Sequence, residues 1–552
     1  MKEENITVTL GSGYGSEEGE SKSVSSDDAL LMTMGKKPEL KRVYNFWTLC
    51  AYQIMISCSW SCLVVLYSTI FDIGGPFALV WGTLFVAVGQ TLLMVSLAEF
   101  STLWPTAGGQ QYYTQALATA KYRPFLSYVV GWAVLVGEIS TGSSCALNSA
   151  QIIESFVNVT HPEYDWKPWL TWVTYCLFLV GPIVVNLVPR YLPALNMFGA
   201  VWTIVGGIAW VITFGIFAPK HDANFVFKLW LNDSGYASAG WVFILSFYTP
   251  MYGLYGTDGM MHLVEEMKDA SKQAPRVMVW SMIFCSITSW LGAIFMMWTA
   301  GDWEIYMDFK QPYMNWWMDI LGVYGGGVFC ALVMIGLNFF IIVGTNLAGS
   351  RLAWSMARDK AFPFSEYLAV VNKRFGIPLR AMLAIVVVDL IIGLIVLGSD
   401  LAFESIISGG GVTLQIGYVT PVIILLVRGR KILPPHPNFD LGRWGYPINI
   451  ISVCWSLIII VMYSFPMVSI PCHPVLMVAI LTDLQYVPVT IPNISWMNWS
   501  ILIVGATVIF PGAYYVFSAR HKYIKDFNSV LAENVVVVDG VAVAAAEVIL
   551  EK

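Results

Sequence analysis

The chain has 552 residues, of which 57% are hydrophobic, 14% aromatic and 12% charged, with a formal net charge of -6. Soluble domains are about 45–50% apolar and about 25% charged, so this balance excludes an ordinary cytosolic enzyme and a disordered scaffold. It equally excludes a nucleic-acid binder, which needs basic patches, and spans of about 20 apolar residues organise the length into one all-α integral membrane unit.

In chain order, residues 1–41 are polar, rich in Ser and Glu, and read as a disordered cytosolic tail. No short apolar region with a cleavage site precedes the first span, so no cleaved signal peptide is expected. Twelve apolar spans follow, at 46–72, 77–100, 126–152, 169–188, 192–217, 239–263, 278–300, 320–349, 381–398, 402–427, 447–467 and 499–518. They define a twelve-span domain over 42–525 and leave a second tail at 526–552. All of the 30 Lys and Arg residues except Lys167, Lys220, Lys228 and Lys310 fall on the side of the N-terminus. Cytosolic loops carry the excess of cations, so both termini are expected in the cytosol. The sequons Asn158-Val-Thr160 and Asn232-Asp-Ser234 then lie in outer loops as glycosylation candidates. Trp166, Trp169, Trp303, Trp316 and Trp317 fall near outer span ends, as an interfacial belt does.

Nine cysteines are present, all but Cys472 in apolar stretches and with no metal-ligand spacing, so they read as small buried residues. No metal box, nucleophile motif or phosphate loop is found. Neither a cofactor nor a metal nor enzymatic activity is expected. Two spans carry features that a plain lipid-facing helix lacks. The sixth contains Pro250, Tyr252, Gly253, Tyr255, Gly256, Asp258 and Gly259, a run that weakens any continuous helix. A discontinuous helix exposes N–H groups at one half-end and carbonyls at the other, where ligands bind. In the first span, Ser57, Cys58, Ser59, Trp60 and Ser61 form a polar cluster without Gly or Pro, which leaves an unbroken and a broken helix equally open. Acids at membrane depth are functional candidates by default. For Glu138 in the third span, a substrate or proton role stands beside a purely internal one. Asp258 is expected to cap the second half of the sixth span, with a gating contribution, while Asp389 and Glu404 are read as structural.

At these motifs the chain resembles the amino acid–polyamine–organocation (APC) superfamily, in the amino acid/choline transporter branch that contains fungal GABA, choline and amino acid permeases. The resemblance runs in order through Asp28 to Arg42, Ser57 to Trp60, Gly74-Gly-Pro76, Ser96 to Ser101, Pro105 to Gln110 and Gly131-Trp132. It continues through Gly256-Thr-Asp258, His262 to Glu266 and Ala274-Pro275-Arg276. It implies a LeuT-like fold of two inverted five-helix repeats, about 46–217 and 239–427, with discontinuous helices 1 and 6. The helices at 447–467 and 499–518 are peripheral in that fold. It further implies alternating access around a site lined by Ser57, Cys58 and Trp60 from the first span, and by Tyr252, Gly253, Tyr255 and Gly256 from the sixth. Asp258, Glu265 and Glu266 would serve as gate or brace.

Two departures bear on the substrate. The first-span break lacks the glycines that many amino acid permeases use for a carboxylate, and Glu138 places an acid where an uncharged residue is expected. A carboxylate near Trp60, Tyr252 and Tyr255 suits an ammonium group, through cation–π contact worth about 2 kcal/mol when desolvated. The fifth span carries no Lys or Arg, so the lysine that stands in for sodium in some members of the superfamily it resembles is absent; proton coupling is expected. The expected protein is thus a proton-coupled importer of an amino acid, choline-like cation or related amine, embedded in the lipid bilayer. A non-transporting nutrient sensor of the same fold is the alternative. Residues 468–485 fit no part of the pattern; their 18 codons can carry the marks of a retained intron, or they form a genuine outer loop.

Overall fold

A computed structural model describes residues 5–6, 24–465 apart from 308, 310, 399, 436 and 437, then 500–524, 535–538 and 541–544. The segment 468–485 therefore lies outside the described residues. Among them the protein is helical, with three two-stranded ladders at 5–6 with 24–25, 73–74 with 231–232, and 535–538 with 541–544. Ten helices are long and apolar enough to cross a membrane, because a chain in hydrocarbon must satisfy its own backbone hydrogen bonds.

The helices overrun the apolar windows that announce them. The third span is a 38-residue helix, Arg123–Thr160, roughly 57 Å long at about 1.5 Å per residue, against a hydrocarbon core of about 30 Å. Pro124 sits in its first turn, where the missing N–H costs nothing. A helix stops where its ends are capped, not where apolarity fades. The eighth span likewise runs on to Arg358, after a π turn at Ala331–Ile335.

Helix Arg123–Thr160 packs against Pro168–Asn186, Gly336–Arg358, Leu379–Gly393 and Ser500–Phe517. It meets the helix Asp400–Arg428 along a seam of small residues: a Cβ on Gly137 would lie 2.2 Å from Leu414 Cγ, one on Gly410 2.4 Å from Ser140 Cβ, and one on Gly417 2.4 Å from Val134 Cγ2. Lipid gives little hydrophobic drive for helix association, so close backbone packing and interhelical hydrogen bonds do that work. The bonds are present: Gln90, Gln415, Ser456 and Trp455 form one chain at 2.9–3.3 Å. Asp389, read as structural, accepts from Ser143 Oγ at 2.7 Å, while Tyr175 donates to its carbonyl at 2.8 Å. The faces of Pro168–Asn186 and Leu192–Phe217 that leave Leu177, Val184, Val205 and Ile216 exposed suit contact with acyl chains.

The tail read as disordered to residue 41 requires a correction for its last part. Ser26–Thr33 is a helix whose Leu31 packs with Met34 and Tyr112. Asp27 accepts from the backbone N–H groups of Asp269 and Ala270, at the start of helix Ala270–Trp298. Arg42 joins Asp28 at 2.7 Å and the Met267 carbonyl at 2.7 Å. Composition marks this segment as polar, but its charges find partners on the body of the protein. Substituting Gly410→Leu should overpack the central seam, at a cost of about 1–3 kcal/mol, and lower the melting temperature of the detergent-purified protein. Gly512→Ala, with nothing within 4 Å of the new Cβ, should leave it unchanged or raised.

Candidate functional site

The first span begins with a capping box between Asn45 and Thr48 and ends as a helix at Ser57. Cys58 takes the left-handed conformation, φ 38°, and a second helix starts at Ser59. A residue with a Cβ loses about 1–2 kcal/mol there, so the surroundings must hold it. Cys58 Sγ donates to the Met55 carbonyl at 3.0 Å and meets Thr203 Oγ1 at 3.5 Å. Ser61 closes on the Cys58 carbonyl, and Ser59 Oγ meets Thr288 Oγ1 at 2.9 Å. The sixth span consists of Ala239–Leu245 and Tyr248–Tyr252. Residues 253–258 then leave the helix before a 3-10 turn at Gly259–Glu266.

The two interruptions touch. A Cβ on Gly253 would lie 2.8 Å from the Ser59 carbonyl oxygen, so only glycine permits this approach. Gln53 spans the gap: its Nε2 donates to Ser57 Oγ at 3.1 Å and to the Gly256 carbonyl at 2.9 Å, while its Oε1 accepts from Met260 N–H at 3.2 Å. Gln53 thereby supplies the partners that the unwound backbone loses. Sequence reasoning passed it over, although an amide in an apolar run four residues before Ser57 was a visible signal.

Beside the breaks lies a cavity of about 40 Å³ lined by Ser57, Cys62, Thr141, Tyr252, Tyr255 and Tyr463, among others, none of them formally charged. The Tyr463 ring centroid lies 5.0 Å from that of Tyr248 and 6.0 Å from that of Tyr255. Tyr248 shares a hydrogen bond with Ser408 at 3.1 Å, and Tyr252 with Ser144. At about 10–15 Å³ of such volume per water, the space admits a few waters, so a larger guest requires the tyrosines to part.

The sequence candidates divide between this cavity and other places. Ser57, Tyr252 and Tyr255 line it. Cys58 faces Thr203. Trp60 is buried outside the cavity lining, stacked on Trp210 with centroids 5.2 Å apart and donating to the Thr203 carbonyl. Gly253 and Gly256 form the contact between the breaks. Glu138 is buried outside the cavity lining and is not grouped with Trp60, Tyr252 and Tyr255; it stands with Asp258 and His262, their nearest ligand atoms within 4.8 Å of one another.

Asp258 needs a correction. It holds the position before the 3-10 turn, yet its side chain makes no cap. Instead it accepts from Gln110 Nε2 at 2.6 Å and Tyr418 Oη at 2.5 Å, because its carboxylate points into the bundle. His262 Nδ1 lies 2.9 Å from the Ala107 carbonyl, which can only accept. Nδ1 therefore carries a hydrogen, and Nε2 stands 3.6 Å from Asp258 Oδ2. Neither Glu138 oxygen has a hydrogen-bond partner among the described residues. The three groups have the donor set to share a proton or a small cation.

On the side of the N-terminus, the acids are paired. Glu265 accepts from Arg358 at 2.6 Å, Thr106 Oγ1 at 2.9 Å and Ala107 N–H at 2.9 Å. Glu266 accepts from Arg351 Nε at 2.8 Å, and buried Lys36 pairs with Asp359. Burial pulls the Lys36 ammonium below its ordinary range, and the Asp359 charge only partly restores it. Burial raises Glu265, but the Arg358 charge and the hydrogen bonds outweigh it and hold the carboxyl below its ordinary value. Asn158 is exposed near the end of its helix. Asn232 is exposed in the ladder with Ile73–Gly74, its amide donating to the Tyr236 carbonyl.

Residues 44–484 match the sequence profile of the amino acid permease family. A choline transporter of Saccharomyces cerevisiae is 27% identical over 89% of this chain and 83% of its own length. An uncharacterized amino-acid permease of Schizosaccharomyces pombe is 27% identical over 91% and 90%. A homolog of amino-acid permease BAT1 from Oryza sativa is 27% identical over 88% and 95%.

The paired acids give a pH-dependent expectation. Glu265→Gln leaves Arg358 without its buried partner and should cost about 3–5 kcal/mol, read as a lower melting temperature at pH 7. A depressed carboxyl stabilises above its ordinary value of 4.5 and loses that contribution as pH falls through its lower folded value. The gap between wild type and variant should therefore persist at pH 4.5 and close only below it.

Proposed function

Since the chain belongs to the amino acid permease family, and is a multi-pass membrane transporter rather than an enzyme, we propose that it is a secondary active, proton-coupled importer of the plasma membrane. Its substrate is an amino acid, choline-like organic cation or related amine. In this reading the ten long helices, the interrupted sixth span at 239–263 and the shorter helix Leu502–Phe517 make twelve spans. They are arranged as inverted repeats over about 46–217 and 239–427, with 447–467 and 499–518 peripheral. The domain over 42–525 then carries cytosolic tails at both ends, and Asn158 and Asn232 face outward, open to glycosylation.

The observation that carries the reading is the meeting of two interrupted helices at a small, uncharged cavity walled by tyrosines. Broken helices at membrane depth are tolerated where they adjoin protein or a cavity, and a site between them suits alternating access. Tyr252 and Tyr255, with Tyr248 and Tyr463, offer ring faces to a cation, and Ser57 offers a hydroxyl. Cys58, Trp60, Gly253 and Gly256 serve as hinge and wall, while Glu265 and Glu266 close the cytosolic side through Arg358 and Arg351. The proton is assigned to Glu138, with Asp258 and His262 as its neighbours. A carboxyl without a hydrogen-bond partner in low dielectric is best accommodated neutral, and losing its proton on the cytosolic side would favour a different arrangement of the sixth span.

Radiolabelled uptake in transporter-deficient cells, comparing choline, GABA, basic amino acids and polyamines at two external pH values, tests this. Uptake of one amine should rise at the lower pH and fall with a protonophore. Tyr252→Leu should raise its KM by roughly tenfold or more, on the scale of a lost cation–π contact of about 2 kcal/mol, while Tyr252→Phe stays within a few fold. Glu138→Gln should abolish the pH dependence while retaining exchange of labelled for unlabelled substrate. Uptake indifferent to pH and protonophore would refute the coupling; no uptake of any amine by a correctly inserted protein would favour the sensor.

A further inference from the structure

Two acids and a histidine beside the sixth-span break form a group that the small cavity does not include. Glu138 comes from helix Arg123–Thr160; Asp258 stands just before the 3-10 turn Gly259–Glu266 and His262 within it. They are 2%, 0% and 0% exposed, and one ligand atom of each lies within 4.8 Å of the others. Among the described residues, neither Glu138 oxygen has a hydrogen-bond partner, and nor has His262 Nε2. Buried polar groups are nearly always partnered, so two such side chains converging on one spot point to a ligand.

The group is held as metal ligands are held, by outer partners that orient the imidazole and the carboxylate. His262 Nδ1 donates to the Ala107 carbonyl at 2.9 Å, which leaves Nε2 turned toward Asp258. Gly109, at φ 50°, gives the ring its room, since a Cβ there would lie 3.2 Å from His262 Cε1. Gln110 and Tyr418 steady Asp258, whose Oδ2 stands 3.6 Å from Nε2. Bonds of roughly 2.0–2.2 Å to a tetrahedral zinc ion set neighbouring ligand atoms about 3.4 Å apart, close to that separation. The Glu138 carboxylate, which no hydrogen bond restrains, is free to move in as the third ligand. Two carboxylates and a neutral imidazole carry a charge that a divalent cation cancels and a monovalent one does not, and uncompensated buried charge is costly. The imidazole favours zinc-like ions over magnesium and calcium, which take oxygen ligands.

We propose that Glu138, Asp258 and His262 form an inhibitory site for a divalent transition-metal ion of the zinc type, with a water as fourth ligand. The ion ties the third span to the segment after the sixth-span break. Ala107 links it to the closed cytosolic side: its carbonyl holds His262, and its N–H donates to Glu265, the partner of Arg358. A bridge at this place keeps those ion pairs closed and stops turnover. The arrest of uptake rests on the transport reading above; the binding of the ion does not.

Equilibrium dialysis of the full-length, chelator-treated protein in detergent tests binding, with Zn²⁺, Mg²⁺ and Ca²⁺ as probes. One Zn²⁺ per chain should be retained in preference to Mg²⁺ and Ca²⁺. Glu138→Gln and His262→Gln, made separately, should each weaken retention roughly a hundredfold or more, since even outer partners of a ligand are worth about 10–100-fold. His161→Gln with His521→Gln, at exposed positions, should not. Undiminished retention by either folded ligand variant, equal retention of Mg²⁺, or loss with the exposed-histidine variant overturns the site. In proteoliposomes, Zn²⁺ on both faces should abolish substrate uptake and a permeant chelator should restore it; uptake unaffected by bound zinc overturns the inhibitory role. Zinc retained while uptake is indifferent to pH refutes the coupling proposed above and leaves the site standing. Uptake driven by pH with no zinc retained does the reverse.

Discussion

Every departure from helix in a membrane protein must find partners for the backbone groups it frees, and the arrangement of this protein turns on one such settlement. Gln53 binds the Gly256 carbonyl and the Met260 N–H from within the first span. The sixth span can unwind because the first supplies an amide, and the first can turn at Cys58 because Thr203 and Thr288 hold the two sides of that turn. The two interruptions are thus mutually dependent. The Gly253 contact with Ser59 makes them neighbours in space, and the cavity opens beside that junction.

Charge is sorted along the same axis. The cavity is lined by hydroxyls, aromatic rings and aliphatic side chains; the acids lie elsewhere and differ in company. Glu265 and Glu266 each have an arginine, and Asp258 has two neutral donors. Glu138 has none. A carboxylate that binds a buried arginine is committed to one conformation, because parting the pair exposes both charges. A carboxyl without a partner can change its charge as its surroundings change. The first kind suits a latch and the second a load that is taken up and released.

The long apolar runs and the sixth-span break were legible because their causes are local. Glycine and proline alter the backbone wherever they occur, and 250–259 is full of them. The first-span break has no such local cause. Nothing in Ser57-Cys58-Ser59 demands a left-handed residue, and the partners that hold it come from residues 203 and 288. The direction of Trp60 was hidden for a related reason. Once the helix restarts after Cys58, its rotation is set by that turn, and Trp60 faces Trp210 instead of the cavity. Asp258 was visible as a helix-start residue, but its partners Gln110 and Tyr418 lie on segments that only the tertiary fold brings together. The docking of residues 26–42 depends on acceptors and donors at 267–270 and 359, beyond what composition can express.

The family profile ends at residue 484 and begins at residue 44, yet segments beyond both limits converge on one aspartate. Lys36 reaches the Asp359 side chain from the N-terminal side, and Ile524 binds its carbonyl from the C-terminal side. Two chain ends that order the same residue share the entropy of ordering it. By reciprocity, whatever loosens one end weakens the hold of the other by the same free energy. Asp359, inside the matched range, is thus the point at which two segments from outside that range meet.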